Sequence, residues 1–365
     1  IQPYIRHQSP VPVAPEDRVA CPVPVYFLRY RYPHHAAPSG YDRLCDYIGE
    51  TIPLSRRQYW MGETVLRLPA LWVSKFGGHF EYSRYDYVME RASIRHFLSH
   101  RDSVYHAVYA EKSVRALARF GGRNGNKLVG TVHHPPEHNE WLFRSVDHFK
   151  AFDFVTVVSR KQIPYWESLL GAARVACVPY AVDAAYFQPA PLDPSSSPCC
   201  LFVGHHERDF ELLPALVERI LAGHPLVRFV MLSKDARCED IARRHDRAIW
   251  RKRVSDEEYL AYLRRATLLV LPLKRSTTCT AVLEAMACGV PVVTSEGGIE
   301  DYLEPQSSKV FPVGDAEGMA GAVLRLLSDP EERERMSLAA RRRALEFSWP
   351  QTARAMVDIY TRLLA

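Results

Sequence analysis

The stretch Ser276-Thr-Thr-Cys-Thr-Ala-Val-Leu-Glu-Ala-Met-Ala-Cys-Gly-Val-Pro-Val-Val-Thr-Ser-Glu-Gly-Gly298 holds the densest chemistry in the chain. Its spacing predicts a polar turn, a short helix carrying Glu284, a glycine stop, a buried strand and a glycine-rich loop. A helix N-terminus presents unpaired amides and the positive end of the helix dipole, which suit an anion such as a diphosphate. Ser276, Thr277, Thr278, Cys279 and Thr280 add hydroxyls, a thiol and backbone N–H groups there. Glu284, in the first turns of the helix, can accept hydrogen bonds from a sugar hydroxyl.

Other residue groups carry less. Gly121-Gly-Arg-Asn-Gly125 lacks the order of a dinucleotide-binding loop and is expected to be a plain loop. The histidine pairs at 34–35, 133–134 and 205–206 cannot chelate a metal without outside help, and the chain has no Asp-x-Asp. The eight cysteines form no Cys-x-x-Cys pair, so they are expected to be reduced thiols. No metal and no cofactor are expected. Arg341-Arg-Arg343 is expected to be a solvated helix face.

The elements that must position these residues alternate along the chain. Apolar runs at Val25 to Tyr32, Ser103 to Ala110, Lys127 to Val132, Phe154 to Val158 and Arg174 to Pro179 predict strands. Helices are expected from Tyr41 to Ile48, Glu111 to Phe120 and Lys161 to Leu170. The Pro/Ser-rich residues 188–198 form the best linker. Strand patterns resume at Cys199 to Val203, Arg228 to Leu232, Thr267 to Leu271 and Val290 to Thr294. Phe210 to Leu221 and a helix opened by the capping box Ser255-Asp-Glu-Glu258 lie among them. This is α/β architecture with two Rossmann-like, doubly wound domains facing a cleft.

Length supports two cores, since 365 residues exceed what one usually holds. The expected division is 1–187, with 1–24 as a proline-rich extended arm, then the linker 188–198, then 199–348. The tail Phe347 to Leu364 predicts one amphipathic helix whose apolar face (Ala353, Met356, Val357, Tyr360, Leu364) needs a partner. No run of about 18 apolar residues occurs, which argues against a membrane-spanning helix. The start, Ile1-Gln-Pro-Tyr, shows no basic-then-apolar signal and is expected to be trimmed.

Charge is uneven. Residues 1–187 carry 23 Lys/Arg against 17 Asp/Glu, whereas the remainder carries 24 against 25. The basic half suits an anionic substrate or lipid surface as well as an ordinary solvated exterior. Residues 55–80 mix Trp, Tyr and Phe with Arg and Lys, and are expected to be a packed helix pair in preference to a membrane-surface or acceptor-binding segment.

Three segments together carry a family resemblance: Phe202-Val-Gly-His-His-Glu-Arg-Asp-Phe210, Leu283-Glu-Ala-Met-Ala-Cys-Gly-Val-Pro-Val-Val293 and Gly297-Gly298. They resemble the retaining nucleotide-sugar glycosyltransferases of GT-B fold, family 4 (glycosyl transferases group 1). Gly130-Thr-Val-His-His134, Thr156-Val-Val-Ser159 and Ala181-Val-Asp-Ala-Ala-Tyr-Phe187 fit more loosely. The resemblance covers roughly 25–365 and is weak at 50–100.

The resemblance implies roles. Gly204 opens the loop at the strand end, and Arg208 takes the place of the diphosphate cation, with His205 or His206 assisting. The family's arginine directly after the glycine is replaced here by His205. Glu284 corresponds to the glutamate that binds the nucleotide's ribose. A sugar-reading glutamate stands eight positions earlier in the family, where this chain has Ser276. His133 corresponds to a histidine beside the reacting centre, its ring projecting into the cleft. Ser39, Gly40 and Tyr41 fall in the family's small-residue loop near diphosphate and acceptor, with Asp42 beside them. The closing helix crosses back to the first domain.

The expected activity is transfer of a sugar from a nucleoside diphosphate, UDP favoured, to an acceptor hydroxyl. Hexosyl transfer without a metal, in cell-envelope glycan or glycolipid synthesis, is the form expected. The acceptor is a carbohydrate, a lipid-linked or a small molecule. The alternatives are an epimerase or hydrolase of the same fold, or a non-catalytic nucleotide-sugar-binding relative. No nucleic-acid partner is expected. The expected location is cytoplasmic, with peripheral contact at the inner membrane's cytoplasmic face through the basic domain left open.

Overall fold

The computed structural model describes residues 12–28, 38–52, 72, 78, 80, 82–191 and 197–365. Residues 1–11 of the arm, the linker's centre, the loop with His34 and His35, and nearly all of 55–80 therefore lie outside the described residues. The chain divides by contacts into two units. The first comprises Ile1–His35, Gly40–Tyr180 and Trp349–Ala365; the second comprises Ala36–Ser39 and Ala181–Ser348.

The first unit is built on a parallel six-stranded sheet in the order β2-β1-β3-β4-β5-β6. Its strands are β1 (Val25–Leu28), β2 (Glu50–Thr51), β3 (Val104–Ala107), β4 (Lys127–Val132), β5 (Phe154–Val157) and β6 (Val175–Cys177). The central strands β3 and β5 are buried at every position, as a parallel sheet covered on both faces requires. Leu28, Phe97, Tyr105, Leu128, Phe149, Phe152 and Trp166 belong to one core around it. The helices used below are α1 (Leu44–Ile48), α2 (Arg84–Ser99), α3 (Ala110–Ser113) and α4 (Ile163–Leu170).

Helix α2 was not anticipated. Its low hydropathy hides an inward face of Val88, Ala92 and Phe97, and its start is fixed by a reciprocal cap between Ser83 and Asp86. The expected helix from Glu111 to Phe120 is broken after α3, with a 3-10 turn at Leu117–Phe120. The buried Glu90 carboxylate causes this: its Oε1 accepts the amides of Ala116 (2.5 Å) and Leu117 (2.9 Å), which a continuous helix would have used itself.

The tail forms α11 (Trp349–Leu364), which belongs to the first unit. It buries Trp349, Ala353, Met356, Val357 and Tyr360. The Tyr360 hydroxyl lies 2.6 Å from Nδ1 of His106 on β3, and His106 Nε2 lies 2.8 Å from the Thr131 hydroxyl on β4. The tail is thus tied to the middle of the sheet by a buried polar chain.

The second unit has a parallel six-stranded sheet in the order β12-β11-β10-β7-β8-β9. These are β7 (Cys199–Val203), β8 (Arg228–Leu232), β9 (Ala248–Arg251), β10 (Leu268–Leu271), β11 (Val292–Ser295) and β12 (Ser308–Phe311). Around it lie α5 (Leu213–Gly223), α6 (Arg237–Arg244), α7 (Asp256–Arg265), α8 (Thr280–Ala287), α9 (Ala316–Ser328) and α10 (Pro330–Leu345). Strand order reverses between β7 and β10. In open α/β sheets, ligands bind outside the carboxyl ends of the strands at such a reversal.

The solvated face expected for Arg341-Arg-Arg343 holds only for Arg342. Arg341 donates to the carbonyls of Ala287 (2.6 Å), Phe187 (2.8 Å) and Ala184 (3.0 Å). Ala287 ends α8, so a cation satisfies the carbonyl end of the helix that carries Glu284. Arg343 donates to the Asp301 carbonyl (2.8 Å) and lies over the Phe347 ring.

Candidate functional site

The strand reversal in the second unit places two loops side by side. After β7, Gly204 has φ +92°, a conformation L side chains rarely adopt, and a Cβ there would press on the Arg208 guanidinium. The glycine lets Arg208 fold back across the strand end. Arg208 Nε donates to the Val203 carbonyl (2.8 Å), Nη1 to the His206 carbonyl (2.8 Å) and Nη2 to Cys279 Sγ (3.2 Å). Backbone bonds from Asp209 to Pro272 and from Lys274 to Glu207 stitch the loop to the one after β10. A fixed guanidinium therefore stands at the residue that opens α8.

The second loop, Ser276 to Cys279, leads into that helix. The Ser276 amide donates to Gly297 and its hydroxyl to the Thr278 carbonyl (2.8 Å). A Cβ at Gly298 would run into the Ser276 carbonyl, which explains why glycine is needed there. The amides of Gly297 and Gly298 go to the two oxygens of Glu300. Cys279 occupies the N-cap position without a side-chain cap, and the Thr278 hydroxyl is buried with no hydrogen-bond partner. An uncapped first turn, an orphaned hydroxyl and a guanidinium together make an anion-binding arrangement.

Glu284 lies in the second turn of α8 and is buried. Its Oε1 accepts from the Ser39 hydroxyl and its Oε2 from the Tyr259 hydroxyl, both at 2.5 Å. Burial pushes its carboxyl above the ordinary range, and the two hydroxyl donors draw it back down. Burial, and then the Glu284 charge, push the Tyr259 phenol well above its usual value, so it stays a donor. Sequence reasoning did not find Tyr259. It stands 25 residues from Glu284, one residue past a capping box that explains its helix but not its partner.

His205 is exposed, and burial together with the Lys234 and Arg208 charges lowers its pKa. Without a bound anion, these effects push the ring towards its neutral form beside Arg208. Ser276, where the resemblance expects a glutamate, turns its hydroxyl onto its own loop.

In the first unit, His133 follows β4 but is held differently. The Glu111 carboxylate accepts the amides of both His133 and His134. The buried Gln162 amide donates to the carbonyls of Val132 (3.2 Å) and His134 (2.9 Å). The ring Nε2 lies 2.7 Å from the Val108 carbonyl, which fixes the proton on that nitrogen. Burial lowers the ring's pKa, so it is neutral with Nδ1 as an acceptor. The ring's N–H is spent on Val108.

Gly40 has φ +104° and leads into a 3-10 turn at Tyr41–Arg43. The Tyr41 side chain has no exposure, packing 4.8 Å from the His133 ring and 5.2 Å from Tyr180, while its amide donates to the Tyr109 hydroxyl. Asp42 is buried as well. The Tyr41 ring is thus packed among aromatic neighbours, with its hydroxyl buried and without a hydrogen-bond partner. Glu111 and Gln162 escaped sequence reasoning, since nothing local marks a side chain that holds a distant turn. None of the eight cysteines is in a disulfide. Among the described residues, no three His, Cys, Asp or Glu side chains gather as a metal site, and no helix is long and apolar enough to cross a membrane.

Residues 197–329 match the family described as Glycosyl transferases group 1. Glycogen synthase of Mycobacterium tuberculosis is 30% identical over 203 residues, which cover 52% of this chain and 49% of that protein. A phosphatidylinositol N-acetylglucosaminyltransferase component from Arabidopsis thaliana is 27% identical over 275 residues, 71% of this chain and 57% of that one. Among solved structures, sucrose-phosphate synthase of Thermosynechococcus elongatus superposes with a TM-score of 0.63 at 20% identity, over 75% of this chain and 78% of that one. The chain spans about half the length of the glycogen synthase it matches.

The fold class is α/β of the GT-B type, with two parallel six-stranded sheets. The residues that match the group 1 glycosyl transferase family include the loops that form the arrangement around Arg208 and α8.

Proposed function

We propose that the protein is a retaining glycosyltransferase that moves a sugar from a nucleoside diphosphate, UDP favoured, to an acceptor hydroxyl. One observation carries the reading: Arg208 stands at the N-terminus of α8, and one turn along the same helix Glu284 holds hydroxyl donors on both oxygens. The anion end and the hydroxyl-reading carboxylate are about 6 Å apart along the helix axis. That is the order of spacing between a nucleotide's first phosphate and its ribose hydroxyls.

In the reaction, the bond between the sugar's anomeric carbon and the diphosphate oxygen breaks, and a bond to the acceptor oxygen forms. The acceptor's proton passes to the departing diphosphate. Arg208 and the α8 amides stabilise the charge that builds on that diphosphate, so no metal is assigned to the step. Acceptor binding is assigned to the first unit. Cell-envelope glycan or glycolipid synthesis is the proposed setting, and the cytoplasm the proposed compartment.

A second reading, nucleotide-sugar binding without transfer, is favoured by one observation: Ser276 spends its hydroxyl on Thr278 and offers no carboxylate to a sugar. A thermal-shift panel of UDP, GDP, ADP and their sugars, followed by a transfer assay with the best donor, tests both. Stabilisation by no nucleotide overturns both readings; stabilisation without transfer to any carbohydrate or lipid acceptor overturns the first.

A further inference from the structure

We propose that Tyr259 is the positioning residue for Glu284, and that Ser39 holds in the unliganded protein the place a ligand hydroxyl takes on the same carboxylate. The inference rests on the reading of Glu284 as the ribose-binding residue. A carboxylate that is 4% exposed is costly unless its oxygens receive donors. Glu284 has one on each side: Ser39 on Oε1 and Tyr259 on Oε2.

The two donors are anchored differently. Tyr259 rides on α7, a ten-residue helix whose start is locked by the reciprocal Ser255–Glu258 cap, and its ring packs edge-on against Phe187. It is fixed relative to α8 by the framework of the second unit. Ser39 comes from Ala36–Ser39, the one stretch before Ala181 that belongs to this unit, and it contacts a residue 245 positions away. Gly40 follows with φ +104°. In this proposal the Ser39 hydroxyl is the donor that exchanges, and the phenol is the one that stays.

The exchange conserves the hydrogen-bond count. An incoming ribose hydroxyl donates to Oε1 as Ser39 leaves it, and Tyr259 keeps Oε2 and the carboxylate's rotamer. The protein thus never exposes a bare buried carboxylate, and ligand binding must displace an internal competitor.

The test compares the wild type with Ser39→Ala, Tyr259→Phe and Glu284→Gln by calorimetric titration. The ligands are whichever of UDP, GDP and ADP binds most tightly, and its 2′,3′-dideoxy form. Ser39→Ala is expected to tighten the full nucleotide about threefold and leave the dideoxy form unchanged. Tyr259→Phe is expected to weaken the full nucleotide about tenfold and shrink its advantage over the dideoxy form.

A second readout is the pH profile of binding. Ser39 from its own stretch, Tyr259 and Asp256 of α7, Tyr186 and the Cys288 thiol face the Glu284 carboxylate. Losing the phenol donor raises the carboxyl further, so the acid limb moves to higher pH in Tyr259→Phe; a merely structural loss leaves it in place. Weaker binding in Ser39→Ala, or an unmoved limb and unchanged discrimination in Tyr259→Phe, overturns the inference. If Glu284→Gln preserves the full-over-dideoxy advantage, the ribose reading itself falls instead.

Discussion

The loops after β7 and β10 and the turn after β4 both end parallel strands, yet they are saturated to different degrees. In the second unit, the Arg208 guanidinium is braced by two carbonyls and a thiol, and the helix start beside it has no cap. In the first, side chains hold the amides of His133 and His134 and the carbonyls of Val132 and His134, and the ring's N–H is bound to Val108. One region keeps positive potential available at its surface. The other spends its donors on its own shape. A strand-end position therefore does not make a residue a binding group; what its neighbours have already taken from it decides.

The contrast is broken most forcefully at Arg208. Arg208→Ala is expected to cost the transfer step about 3–4 kcal/mol, a loss of about 10²–10³-fold. Arg208→Lys should recover only part, because a point charge cannot brace Val203, His206 and Cys279 together. Kinetic assay with the best donor checks this, and a loss below tenfold in Arg208→Ala would remove the arginine from the diphosphate site.

In the first unit the corresponding break is one of stability. Glu111→Ala removes the acceptor of two part-buried amides at the head of the β4 turn and is expected to cost about 1–3 kcal/mol. Nucleotide affinity should stay at the wild-type value. Denaturant unfolding and a nucleotide titration read the two quantities separately; weakened nucleotide binding at full stability would contradict the division of labour.

Legibility in the sequence followed the same divide. The site helix, its glycine stop and β11 were legible because hydroxyls, apolar spacing and glycines act within a few residues of one another. The strands β4, β7 and β8 were legible to the residue from their apolar runs. The edge strands β2, β9 and β12 were not, since two residues, or a run containing Trp250 and Arg251, carry no continuous apolar signal. Helix α2 hid behind its low hydropathy. The helix expected from Glu111 to Phe120 failed because the amides that would have sustained it are taken by Glu90, some 26 residues away. At the candidate site, Gly204, Arg208 and Glu284 were singled out from the sequence, but the pairing of Glu284 with Ser39 and Tyr259 depends on tertiary contact alone.

Glu90 extends the comparison to pH. Burial raises its carboxyl to about 7 and that of nearby Asp86 to about 6. A raised folded value means the stabilising form is the protonated one. Its contribution is complete below about pH 4.5, the ordinary value, and is lost as pH rises through about 7. Glu90→Gln fits the same bonds, its carbonyl taking the Ala116 and Leu117 amides and its NH2 facing the Tyr82 oxygen. It is expected to gain about 2 kcal/mol over the wild type at pH 8 and nothing at pH 4. Stability curves at several pH values, taken as a variant-minus-wild-type difference, remove the histidine contributions. A flat difference would place the carboxyl at its ordinary value.

The smallest expected effect sharpens the second unit from within. His205 stands directly after Gly204, where a cation would reach the same anion as Arg208, yet burial and two neighbouring positive charges keep its ring neutral. His205→Ala should therefore change nucleotide affinity by less than about 1 kcal/mol, the scale of one neutral hydrogen bond. Affinity should also be insensitive to this substitution from pH 7 to pH 8, where neither ring form changes. A loss near that of Arg208→Ala would mean that the bound anion holds His205 protonated, so that two cations, not one, face the diphosphate; titrating wild type and variant side by side at both pH values separates the cases.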